Sequence, residues 1–252
     1  MNKTILAFDT NIWLYLIKPE FLPILETLIW YVDKGEIEII INDIIITEWE
    51  RNKETNIKRV CESIKQEYIS AMRLSAFIEN DEERQKYTEI LSHYKKEEER
   101  LKHAKMGVKK VERLLQKCTN IVASESQKLY IANLAINKKP PFSNNKNNFN
   151  DALIIRNIAE SITRRIINEG PALPYKYDLI YVSNNLKDFI DSETNEIYTE
   201  LLEGCERLRI ISIKDLTHAL NIKDELIEDF DEWLEHMVEM HAELEAEIMR
   251  GK

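Results

Sequence analysis

An α/β fold built on a mainly parallel sheet is what this sequence predicts, and three observations carry the prediction. A short apolar run, Ile5-Leu6-Ala7-Phe8, stops abruptly at Asp9. A run that is apolar without alternation reads as a strand covered on both faces, as in a parallel sheet. A stretch of helical spacing and a second, β-branched run follow it; strand, helix, strand in that order predicts parallel strands joined by right-handed crossovers. Finally, only 5 of the 252 residues are glycine while 32% are charged, a balance that favours long solvated helices over turn-rich β structure.

The first strand places Asp9 at its carboxyl end, the edge where open α/β sheets bind ligands. From Ile12 to Tyr31, Leu14, Ile17, Phe21, Ile24, Leu25, Leu28 and Ile29 recur at near-helical spacing, with a break and restart at Pro19 and Pro23 and a stop at Gly35. Ile37-Glu38-Ile39-Ile40-Ile41, bounded by Gly35 and Asn42-Asp43, is the second strand. Asn42 or Asp43 then caps a helix that carries Glu48 in its early turns. From Arg51 to about Asn137 charge becomes dense, and apolar stripes such as Ile64, Tyr68, Met72 and Leu101, Val108, Val111, Leu114, Leu115 recur at threes and fours. Segment 51–137 is therefore expected to be a helical insertion of two or three long helices.

Asn137 to Asn150, rich in asparagine and proline, reads as a loop. A helix is expected from Asp151 to Asn168, a third strand at Leu179–Val182 and a fourth at Leu208–Ile213. The tail, 219–252, reads as an acidic helix whose stripe of Leu226, Phe230, Trp233, Met237, Met240, Leu244 and Ile248 needs a partner surface. That surface is either the insertion helices or a second chain, as a homo-oligomer or a protein partner.

Cys61, Cys118 and Cys205 are odd in number and far apart, with neither a disulfide framework nor metal-ligand spacing. No stretch approaches the ~20 apolar residues of a membrane helix, and the run before Asp9 is too brief for a signal-peptide core. The expected setting is the cytoplasm, away from membranes. A formal net charge of −10 argues against broad attraction to nucleic acid, but a local basic face is compatible with it.

Three other places offer acids that can meet Asp9 at the same edge: Glu48, Asp151 and the turn Ser183-Asn184-Asn185-Leu186-Lys187-Asp188-Phe189. Each has a structural explanation of its own. Asp9 can bond to the following turn, Glu48 can pair with Arg51 or Lys53, and Asp151 sits where a helix dipole favours an anion. Their joint placement, after predicted strands or at the start of a helix running back along the sheet, points instead to one cluster. Crowded carboxylates raise one another's pKa unless a cation neutralises them. Oxygen ligands with no histidine among them select Mg²⁺ or Mn²⁺ over zinc, and such a site suits in-line hydrolysis of a phosphodiester.

Phe8-Asp9-Thr10-Asn11, Thr47-Glu48, Phe149-Asn150-Asp151-Ala152-Leu153-Ile154 and Val182-Ser183-Asn184-Asn185-Leu186-Lys187-Asp188-Phe189, in that order, together resemble a PIN-like domain nuclease. The resemblance implies a three-layer α/β/α domain over 1–50 and 138–218, with 51–137 inserted and 219–252 appended. It also implies a metal-dependent ribonuclease site with Asp9, Glu48 and Asp151 as its acids and Thr10, Asn11 and Ser183 in support. Many members of the family carry aspartate two residues after the Ser or Thr, where this chain has Asn185. An asparagine oxygen can ligate a metal or hold a water but adds no charge. Asp188 either takes over the acid role or caps the turn from Leu186 to Ile190, so the expected metal set is Asp9, Glu48, Asp151, Asn185 and Asp188. Grip on nucleic acid is expected from Lys138, Lys139 and Lys146 before Asp151, and from Lys187. The lysines of the insertion are interleaved with Glu97, Glu98, Glu99 and Glu112 and read mainly as a salt-bridged face. Tyr87, Tyr94 and Phe142 are candidates for base stacking. The expected function is a metal-dependent endoribonuclease acting on RNA as a toxin or defence effector. The alternatives are a DNA end or flap nuclease of the same chemistry and a catalytically weakened scaffold protein.

Overall fold

In a computed structural model that describes residues 3–144, 148–169, 177–194, 196–205 and 208–220, the first apolar run forms β1 (Lys3–Phe8). Ile5, Leu6, Ala7 and Phe8 are all buried, as a run without alternation requires. Asp9 caps α1 (Thr10–Tyr15). Pro19 opens a short 3₁₀ turn before α2 (Leu22–Lys34), which ends where Gly35 takes φ 73°, a left-handed conformation that favours glycine. Then come β2 (Ile37–Asn42) and α3 (Asp43–Leu74). Asn42 caps α3, its side-chain oxygen accepting from the Ile44 N–H at 2.7 Å.

The 32 residues of α3 make one continuous helix, so the change of composition at Arg51 falls inside an element and not at its end. α4 (Asp81–Ser92) and α5 (Glu97–Leu115) follow, and α5 returns along α3 and α2. Segment 51–137 is not wholly helical, however. Thr119–Ile121 forms β3, which pairs in parallel with the end of β2 through Ile40↔Thr119 and Asn42↔Ile121. Three residues, two of them polar, give no apolar run to read, and their strand character comes from pairing at a sheet edge. α6 (Glu125–Ile136) begins at a capping box between Ser124 and Gln127.

The remaining elements are α7 (Phe149–Glu169), β4 (Tyr177–Val182), α8 (Thr199–Leu202), β5 (Arg209–Ile211) and α9 (Ile213–Ala219). β5 is shorter than the strand expected over Leu208–Ile213, because Ser212 and Asp215 exchange hydrogen bonds that cap α9. The expected C-terminal helix, Asp224 to Arg250, lies outside the described residues.

The sheet is parallel throughout, in the order β3-β2-β1-β4-β5. The chain moves outward from β1 to β2 and β3, then reverses to the other side of β1 for β4 and β5. Right-handed crossovers in opposite directions place their helices on opposite faces. This gives the three-layer α/β/α architecture, with α1 to α5 on one face and α6 and α7 on the other. The reversal between β1 and β4 is the switch point at which such sheets open a crevice at the strands' carboxyl ends.

Docking of α5 leaves no room at Gly107, where an added Cβ would clash with the backbone carbonyl of Ile17. A Gly→Ala change inside a helix gains up to ~1 kcal/mol of propensity, whereas overpacking against a rigid neighbour costs about 1–3 kcal/mol. Gly107→Ala is therefore expected to lower the melting temperature by a few degrees, and a melt at or above wild type would show that α5 does not approach the turn after α1 so closely.

Candidate active site

At the reversal, β1 and β4 end side by side in the register Phe8↔Val182, and the Asp9 N–H donates to the Val182 carbonyl at 2.9 Å. The next residue on each strand begins the site. Ser183 Oγ donates to Asp9 Oδ2 at 2.9 Å and itself accepts from the Asn185 N–H at 3.0 Å. Asp9 is 5% exposed and Ser183 0%. The second oxygen of Asp9, Oδ1, accepts from the Asn11 N–H at 3.3 Å, so the carboxylate is held from both strand ends.

Glu48, in the second turn of α3, also has both oxygens engaged. Thr10 Oγ1 donates to Oε2 at 2.6 Å and Asn150 Nδ2 to Oε1 at 3.0 Å. Asn150 lies in the first turn of α7, directly before Asp151, so one hydrogen bond ties the second acid to the helix that carries the third. In the turn after β4, Asn185 Nδ2 donates to Asp188 Oδ2 at 2.6 Å. The two residues expected to stand in for a family aspartate are thus bonded to each other.

These carboxylates share one electrostatic field. Burial raises the pKa of Asp9; the Ser183 hydroxyl and the Asn11 N–H oppose the rise, and Glu48 adds to it. Asp151, half-buried, is pushed up to about 7, first by burial and then by the charges of Asp9, Glu48 and Asp188. Among the described residues no lysine or arginine pairs with Asp9, Glu48 or Asp151 to relieve this.

The donor set of carboxylates, hydroxyls and amide oxygens, with no thiol or imidazole, suits a hard divalent cation, and the unrelieved charge at Asp151 is what such a cation would neutralise. Asp9, Glu48, Asp151 and Asp188 are the acids whose charges meet here. Among the described residues no three acidic, histidine or cysteine side chains close to metal-binding distance. Asp9, Glu48 and Asp188 each accept from neutral donors.

The other predicted residues are more loosely placed. Thr10 is buried against Glu48; Asn11 is exposed and contributes its backbone N–H. Lys187 is exposed beside Asp188, Lys138 and Lys139 are exposed after α6, and Lys146 lies outside the described residues. Phe142, expected to be available for stacking, is 7% exposed and belongs to the core. Charged residues of α5 and the turn after it are engaged as a salt-bridged face predicts: Lys110 with Glu26, Glu112 with Lys53, and Lys117, just past the helix, with Asp33. Asn150 and Tyr181 are functional candidates that sequence reasoning missed. The signal for Asn150 was its place inside the motif around Asp151, and for Tyr181 a polar tip within an otherwise apolar strand.

The family model for the PIN domain matches residues 6–189, a span that contains Asp9, Glu48, Asp151 and Asp188. No curated protein and no solved structure matches the chain.

The raised pKa of Asp151 predicts a pH dependence of stability whose sign is fixed. The folded state binds this proton more tightly than the unfolded chain, whose value is near 3.8. The contribution is therefore full below about 4 and is lost as pH rises through about 7. In metal-free protein, the melting temperature of wild type relative to Asp151→Asn should fall across that window. Parallel pH profiles for the two proteins would show that Asp151 ionises as an ordinary carboxylate.

Proposed function

The chain belongs to the PIN domain family, and from the acidic cluster at its β1–β4 reversal we propose that it is a Mg²⁺- or Mn²⁺-dependent endoribonuclease that hydrolyses RNA phosphodiester bonds. PIN domains are a nuclease fold, commonly metal-dependent. The observation that carries the reading here is Asp151, pushed up to about 7 first by burial and then by the charges of Asp9, Glu48 and Asp188, the kind of costly perturbation that clusters at functional sites.

In this reading Asp9, Glu48, Asp151, Asn185 and Asp188 would hold the cation. A divalent ion bound by such acids polarises the phosphoryl oxygen and lowers the pKa of an attached water. The protein's own groups set the stage. Ser183 and the Asn11 N–H fix the Asp9 carboxylate, Thr10 and Asn150 fix that of Glu48, and Asp151 would ionise more readily beside a bound cation. Asp188 supplies the charge that Asn185 lacks, supported by its field at Asp151 and by the Asn185–Asp188 hydrogen bond. The same hydrogen bond also braces the turn, so the capping role stands beside it. Lys138, Lys139, Lys146 and Lys187 are the proposed grip on the RNA backbone, acting as point charges toward phosphate. An RNA-cutting site of this kind suits a toxin or defence effector of the cytoplasm.

One observation favours a second reading, a non-cleaving scaffold: the asparagine at position 185 reduces the charge available to a cation. Labelled single-stranded RNA and DNA, incubated with the protein in Mg²⁺, Mn²⁺ or EDTA, separate these readings. RNA cleavage with either ion and none in EDTA is expected. Asp9→Asn and Asp151→Asn should lose more than the 10–100-fold typical of residues that only support metal ligands, with circular dichroism unchanged. DNA cleavage in place of RNA would change the substrate, and absence of cleavage with either ion would leave the scaffold.

A further inference from the structure

Tyr181 is the penultimate residue of β4, between Ala7 of β1 and Ile210 of β5, and is 1% exposed. Its face of the sheet follows from the register. Phe8 packs edge-on against Trp13 of α1 with ring centroids 5.2 Å apart, so Phe8 looks toward the α1 layer and Ala7, one residue earlier, toward α7. Tyr181 shares the face of Ala7, whose small side chain leaves space for the ring. Two residues further along the same face, Ser183 and Asp9 make the hydrogen bond that opens the acidic cluster. The phenol therefore lies directly beneath that cluster, on the side from which Asp151 approaches.

The Tyr181 hydroxyl is buried and has no hydrogen-bond partner among the described residues. A buried donor left without an acceptor carries its full desolvation penalty, and native structures rarely leave one so. Burial, and then the charges of Asp9, Asp151 and Glu48, raise its pKa well above the ordinary value of 10.0. It is thus a neutral O–H, able to donate, within the field of the acids. Of those three, Asp9 accepts on both oxygens from Ser183 and Asn11, and Glu48 on both from Thr10 and Asn150. Asp151 alone accepts no hydrogen bond from a described residue.

We propose that Tyr181 is the positioning residue of Asp151: its hydroxyl donates to the Asp151 carboxylate, by rotation of that side chain or through one bridging water, and fixes it beneath the cluster. This joins an orphan donor to the one acid without a donor. It also gives each of the three acids a neutral group that sets its orientation. The bond itself is independent of the nuclease reading; its consequence for turnover rests on that reading.

The test is a double-mutant cycle of melting temperatures at pH 8 in EDTA, using wild type, Tyr181→Phe, Asp151→Ala and the double variant. Tyr181→Phe should lower the melting temperature by several degrees in the wild-type background and leave it unchanged in the Asp151→Ala background. Equal shifts in the two backgrounds, or a higher melt for Tyr181→Phe, would overturn the bond. In the RNA cleavage assay Tyr181→Phe should then lower kcat by ~10–100-fold with KM unchanged, and unchanged kcat would overturn the positioning role. If wild type itself does not cleave, the nuclease reading fails while the melting cycle still decides the bond.

Discussion

Gathering carboxylates into one partly buried place is unfavourable twice over, through desolvation and through mutual repulsion, and the architecture of this protein answers that constraint with neutral hydrogen-bond donors. Ser183 and the Asn11 N–H hold Asp9, Thr10 and Asn150 hold Glu48, and Asn185 holds Asp188. None of these donors cancels charge. They fix direction while leaving the negative field intact, and the field is concentrated on Asp151. A site built only for stability would place a lysine or arginine here, because an uncompensated charge is the expensive case. Hydroxyls and amides serve instead where the neutralising charge is to come from outside the chain.

The sheet order makes that assembly possible. Because β4 returns beside β1, the residues following the two strands meet across a single hydrogen bond, and α7 brings Asp151 to the same edge from the opposite layer. The long helices contribute from further away. α3 carries Glu48 in its second turn and then continues outward to support α5, whose Lys110 and Arg113 are engaged with Glu26 and Asp33 of α2. Exposed pairs of this kind are individually weak, and here they hold the helical layer in register more than they offer a surface to nucleic acid. The close seat of Gly107 on Ile17 does the same through packing.

Much of this was legible in the sequence, and the parts that were not share a cause. β1 and Asp9 could be read because an unbroken apolar run ends at a charge, and Asn42 because it stands between a β-branched run and a helical one. The positions of the four acids could be read because each lies after a strand or in the early turns of a helix whose type was clear. β3 could not, since Thr119-Asn120-Ile121 becomes a strand only when β2 is beside it. Nor could the continuity of α3, because the rise in charge near Arg51 marks where the helix leaves the sheet, not where it stops. Asn150 was quoted within a motif, but its bond to Glu48 spans 102 residues of sequence, a distance at which local patterns say nothing. The pairing of Asn185 with Asp188 follows from helical spacing in the turn and was within reach of a closer reading. Tyr181 depends on register: whether a strand tyrosine points toward the acids or away from them is decided by which residue of β1 it faces.

The central claim, that these acids form a cation site and not a merely tolerated cluster, is tested most directly by melting wild type and Asp9→Asn in EDTA and in a saturating series of Mn²⁺. An ion that binds only the folded state stabilises it by ~2.7 kcal/mol at a hundredfold excess over its dissociation constant. Wild type should therefore melt higher with Mn²⁺ and Asp9→Asn should not respond. Asparagine preserves the helix cap, so the variant should also melt above wild type in EDTA, where it removes one repelling charge. A wild type indifferent to Mn²⁺, together with an Asp9→Asn variant that is simply less stable, would contradict the account.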